Sequence, residues 1–159
     1  MCWNSTKPSN ANPKVATKPI KVYKICRKDI DSRFLWSYYF KTLYAVGATY
    51  KLPTKISVRE YPYSVIGTLF EIDGGYHSYS RENTYIEQKY RYSFYVVSKT
   101  DYILDCYKVD IVNKQKEEDI VKVLCTIPEG ATYYENDNGE IVSDQITINS
   151  YETILSCVG

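Results

Sequence analysis

The sequence predicts an α+β domain, mostly antiparallel β-sheet with one or two short helices. Three observations lead there. Tyrosine accounts for 18 of the 159 residues, and its side chain favours strands and half-buried sites where the ring packs and the hydroxyl reaches water. Apolar and polar residues alternate in several short runs, most clearly at Val121, Val123, Cys125 and Ile127, the period of a half-buried strand. Glycine and proline recur between the runs, at Gly47, Pro53, Pro62, Gly67, Gly74 and Gly75, so the elements between them are short.

Residues 1–19 are rich in Ser, Asn, Lys and Pro. With little to bury, they are expected to form a flexible basic N-terminal arm. Residues 20–159 form the expected single globular domain, the default for this length. Ile20 to Cys26 alternates well enough for a first strand, which Asp29 to Ser32 ends. The aromatic block from Arg33 to Tyr50 fits a helix or a buried strand equally, because dense apolar runs carry no decisive period. Pro62 and Gly67 favour short strands and loops over a helix there, and Gly74-Gly75 marks a turn. Arg81 to Tyr90 is the best helix segment, with Ser80 placed to cap its free N–H groups. Strands are expected at 93–98, 102–112, 120–127 and 141–149. Asp137-Asn138-Gly139 predicts a hairpin turn, since Asn and Gly tolerate the positive φ that tight turns require.

The net charge is +1, unevenly spread: residues 1–60 carry 12 Lys/Arg against 3 Asp/Glu, and residues 61–159 carry 8 against 16. Such asymmetry suits either a basic surface for phosphate-bearing partners or two faces that neutralise each other within the fold. Nucleic-acid binding through the basic arm is therefore one expectation to test. Five cysteines, without a Cys-x-x-Cys pair, and a single histidine make a zinc cluster an unsuitable reading, and no metal is expected. Buried thiols such as Cys106 and Cys125 suit a reducing compartment. No signal peptide or membrane span is evident, so the expectation is the cytosol.

Two places hold chemistry-bearing side chains. Gly75-Tyr76-His77-Ser78-Tyr79-Ser80 groups two hydroxyls, an imidazole and two phenols, a set able to bind a polar ligand; Ser78 and Ser80 read equally as turn and cap residues, with His77 on a surface strand. One histidine without a nucleophile motif does not make a Ser-His-Asp triad. Glu140 follows the hairpin turn, where a carboxylate can project from a sheet edge and stabilise a developing cation, or be a soluble turn residue.

Lys21-Val22-Tyr23-Lys24, the Gly75 to Ser80 element, Ile127 to Gly130 and Glu140-Ile141-Val142, in that order, loosely resemble the ADP-ribosyltransferase layout. The resemblance implies NAD as cofactor, with His77, Ser78 and Ser80 bordering its pocket and Glu140 catalytic. Tyr23 and Lys24 stand where that family has an arginine, and Asn138 stands where its arginine-specific members carry an acid. From Ile20 to Ile148, the Gly-aromatic-His-Ser element, Cys125 to Tyr134 and the Gly139 to Ile146 ending also resemble small proteins of tailed phages infecting gut bacteria. That second resemblance implies a phage accessory protein located in the host cytoplasm or packaged in the virion, and no particular activity. The leading expectation is a non-enzymatic module without cofactor that binds a virion component or a host protein; the alternative is an ADP-ribosyltransferase-like domain, active or degenerate. Abundant tyrosine suits an interface.

Overall fold

The computed structural model describes residues 3–29, 33–37, 42–65, 67–80 and 118–156. Among the described residues the architecture is all-β. Thirteen strands are present: β1 (Trp3–Ser5), β2 (Lys14–Val15), β3 (Ile20–Asp29), β4 (Phe34–Ser37), β5 (Leu43–Ala45), β6 (Thr49–Lys51), β7 (Arg59–Tyr63), β8 (Gly67–Ile72), β9 (Tyr76–Tyr79), β10 (Glu118–Ile127), β11 (Thr132–Glu135), β12 (Glu140–Ser143) and β13 (Gln145–Ser156). A 3₁₀ turn at Pro8–Ala11 is the helical element among them. The short α-helices of the expected α+β class are thus not found there. The helix expected at 81–90 and the strands expected at 93–98 and 102–112 lie outside the described residues. No helix among the described residues is long and apolar enough to cross a membrane.

The chain divides into two compact units: one of Met1–Lys24, Gly47–Glu82 and Leu124–Ser150, the other of Ile25–Val46, Asn83–Val123 and Tyr151–Gly159. A three-stranded sheet of the first unit has the order β1-β8-β7, and a larger sheet runs β2-β11-β12-β9-β3-β10-β13-β6, with β3, β10 and β13 each shared between the two units. The pairs β1 with β8, β7 with β8, β11 with β12, β12 with β9 and β13 with β6 are all antiparallel. In a flat sheet β6 would lie about 19 Å from β9, four strand spacings away. The rings of Tyr50 and Tyr76 are instead 6.5 Å apart. Within the first unit, β6 and β9 therefore approach each other at these two rings.

In the second unit β4 pairs with β5 and with β3, so the described part of the ambiguous aromatic block is strand. The reason is visible in the burial pattern: Leu35 and Tyr44, paired across the hairpin, are both buried, while Phe34 and Leu43 are exposed. That alternation is a strand's period.

Two further expectations change. The proposed N-terminal arm is built into the first unit: Trp3 is fully buried, β1 pairs with β8, and Ala16 N–H donates to Ala131 O while Gly130 N–H donates to Ala16 O. One large aromatic ring supplies the buried area that the polar residues around it lack. The strand expected over 141–149 is broken at Asp144. There Asp144 N–H donates to Thr132 O, Leu52 N–H donates to Asp144 O, and the Asp144 carboxylate accepts from Thr132 N–H at 2.9 Å. Satisfied in this way, the backbone leaves one ladder and enters another without orphaned groups.

Candidate functional site

Asn136 organises the hairpin turn from within. Its side-chain Oδ1 accepts from the N–H groups of Asn138 and Glu140, both at 3.0 Å, and its Nδ2 donates to Asn4 O at 2.9 Å and to Glu140 Oε1 at 3.2 Å. The Oδ1 to Asn138 bond is an Asx turn, which suits Asn at the start of a tight loop. Gly139, at φ +76°, takes the left-handed conformation that lets the chain re-enter the ladder. The turn was legible in the sequence; Asn136 was not among the candidates. Its place two residues ahead of Asn138-Gly139 is the signal that would have found it.

Glu140 is held by this arrangement at three points. Its N–H and carboxylate meet the Asn136 amide, and its carbonyl accepts both Asn136 N–H and the indole Nε1–H of Trp3, each at 3.0 Å. Trp3 packs with Phe70, Ile72, Tyr134 and Val142, its ring edge-on to Tyr134 at 6.2 Å between centroids. Burial raises the Tyr134 phenol above its usual pKa. Glu140 thus joins the turn to the packed face beneath it.

The second candidate element, Gly75 to Ser80, lies on the strand beside Glu140. The β12 to β9 register pairs Glu140 with Tyr79, Ile141 with Ser78, Val142 with His77 and Ser143 with Tyr76. Residues directly opposite share a face and neighbours in sequence alternate. Glu140 and His77 therefore lie on one face of the sheet, Ser78 and Ser80 on the other. Ser78 is 2% exposed, opposite the buried Ile141, and its hydroxyl is buried with no hydrogen-bond partner in the protein. Ser80 N–H donates to Gly139 O at 2.8 Å, extending the ladder toward the turn. The structure brings the two sequence motifs side by side, with His77 on the face of Glu140 and Ser78 and Ser80 turned to the opposite face.

His77 is fixed rather than presented. Its ring Nε2 lies 3.1 Å from Asp73 O, and the Lys24 ammonium donates to its backbone carbonyl. Burial, with the Lys24 charge adding to it, lowers the imidazole to about 4. The ring is neutral at pH 7 and suited to packing against Val142. Burial likewise raises the Tyr76 phenol, with Tyr50 beside it acting in the same direction.

The face that sequence patterning did not single out is the outer side of the three-stranded sheet. Register places Arg59, Tyr61 and Tyr63 of β7 opposite Glu71, Leu69 and Gly67 of β8, so these six share a face. Phe70 and Ile72, on the other face, are buried with Trp3. All five β7 residues are exposed. The Arg59 guanidinium sits 5.9 Å from the Tyr61 ring centre and pairs with Glu71 and Asp73. Beyond Tyr63 the hairpin tip carries Ser64 at φ +63° and a fully exposed Val65.

No family model, curated protein or solved structure matches this chain. The site geometry therefore carries the functional reading.

Proposed function

We propose that the chain is a non-enzymatic binding module, of the kind a phage accessory protein supplies, whose partner is a virion or host protein. One observation carries the reading: the solvent-facing side of β7 and β8 presents Arg59, Tyr61, Tyr63 and Leu69 together, with Val65 at the hairpin tip. Tyrosine and arginine supply large contact area at low conformational cost and dominate interface energetics. The Arg59 cluster holds the guanidinium over Tyr61, which preorganises the face before any partner arrives. Pro62 on the edge strand has no N–H to offer an incoming strand, so recognition falls to side chains rather than to sheet extension.

The ADP-ribosyltransferase-like alternative requires Ser78 and Glu140 to line one NAD pocket. Their opposite facing in adjacent strands, and the engagement of Glu140 by Asn136, favour the binding reading. The test is affinity purification from infected cells with the wild-type chain and a Tyr61→Ala/Tyr63→Ala double variant. A partner retained by the first and lost by the folded second is the expected result. Equal retention by both would overturn the assignment of this face.

A further inference from the structure

We propose that the groove holding β1 is a strand-exchange site, which accepts the Trp3–Ser5 strand of a second copy of this chain in place of its own. Apart from Lys7 and Asn10 of the connecting segment, which donate to Ser5 Oγ, the groups that receive β1 lie elsewhere in the sequence. The ladder partners are Ile72, Glu71 and Phe70 on β8, the walls of the tryptophan pocket include Tyr134 and Val142, the indole acceptor is Glu140 O, and the donor to Asn4 O is Asn136 Nδ2. A Trp3–Ser5 strand from another copy meets the same groups in the same register. The buried contacts are thus equal in the closed and exchanged forms, and their balance depends on the connecting segment and on concentration.

The connecting segment favours movement. Thr6, Lys7, Pro8 and Ser9 are exposed, as are Asn12 and Pro13, Ala11 between them is half-buried against the Trp3 cluster, and the chain rejoins the sheet at β2 and Ala16. Its contacts to the body of the unit are Ala11, half-buried against the cluster of Trp3, Phe70, Ile72, Tyr134 and Val142, the 3.9 Å pair of Lys7 with Asp137 and the 3.2 Å bond from Asn10 to Asp137. Exposed polar contacts of this kind contribute little. Pro8 and Pro13 stiffen the connection. The residues from Thr6 to Pro13 span at most about 26 to 29 Å when extended, enough to carry β1 to an adjacent copy. Recognition has the form of β-strand addition, in which main-chain bonds give affinity and one side-chain pocket gives selectivity.

The test uses the full chain bearing Asn4→Cys and Glu71→Cys, positions paired in the ladder and within reach of a disulfide. Isotopically light and heavy samples are mixed, incubated across a concentration series, oxidised, and the peptides joining positions 4 and 71 are analysed by mass. The expected result is a mixed light and heavy cross-link that grows with concentration toward about half of the total, the statistical share for complete exchange in an equimolar mixture. Trp3→Phe in the same background keeps an aromatic ring but loses the indole bond in closed and exchanged forms alike, and is expected to speed the exchange while leaving the concentration at which the mixed species appears unchanged. Cross-links of a single isotope at every concentration would overturn the proposal.

Discussion

Ser78 and Glu140 sit on adjacent antiparallel strands, one ladder position apart, and face opposite sides of the sheet, because Ser78 pairs with Ile141 and Glu140 with Tyr79. Proximity in the fold therefore does not make them a site. Each has a separate structural role, and each role has a measurable consequence.

The Glu140 carboxylate is one of several partners of Asn136, whereas Asn136 is the centre of the turn. Glu140→Gln retains an oxygen able to accept from Asn136 and is expected to change stability by less than about 0.5 kcal/mol. Asn136→Ala leaves the N–H groups of Asn138 and Glu140 and the carbonyl of Asn4 without their partner, a loss of about 2 to 3 kcal/mol. Urea denaturation of the two variants checks the order. A Glu140 variant less stable than the Asn136 variant would contradict it.

Ser78 buries a hydroxyl that no protein group satisfies. Removing such a group relieves a desolvation cost without breaking a bond. Ser78→Ala is expected to leave stability unchanged or raise it by up to about 1 kcal/mol, read as an upward shift in the denaturation midpoint. Destabilisation would show that the hydroxyl makes a contact essential to the fold.

Gly75 turns the chain from β8 into β9 at φ +89°, where an added Cβ would lie 2.6 Å from Val142 Cγ2 and 3.2 Å from Ser143 O. Both the backbone conformation and the space therefore require glycine. Gly75→Ala is expected to cost more than about 1 kcal/mol, measured by thermal or chemical unfolding. Gly74→Ala, with open space around its Cβ position, is the control and is expected to cost less.

His77 gives the fold a pH dependence of known sign. Its imidazole is held at about 4 in the folded chain, below the ordinary value of 6.5, so between those values the unfolded chain takes up a proton that the folded chain refuses. The contribution of neutral His77 is complete above pH 6.5 and declines as pH falls toward 4, by at most about 1.4 kcal/mol per pH unit. Stability curves at intervals through that window, for wild type and His77→Asn, are expected to differ in slope. Equal slopes would contradict the assignment.

Local chemistry was legible in the sequence, and long-range partnership was not. The Asn138-Gly139 turn and the Gly74-Gly75 turn follow from backbone freedom at single residues, and β10 from its own alternation. Trp3 was hidden because its partners Phe70, Ile72, Tyr134 and Val142 are remote in sequence and its own neighbours are polar. The corner at Asp144 was hidden for the opposite reason: the apolar pattern runs on from Ile141 through Ile146 and Ile148, and the bonds to Thr132 and Leu52 that bend the chain belong to other strands. The two candidate motifs were each visible, but that Ser78 faces away from Glu140 while His77 shares its face depends on register, which a one-residue slip would reverse.

The most direct measurement of the central claim is calorimetric titration of NAD into the full-length wild-type chain, with Ser78→Ala and Glu140→Gln alongside. A binding module whose Ser78 and Glu140 face apart is expected to give no saturable heat in any of the three. Saturable NAD binding by the wild type that either substitution weakens would contradict it.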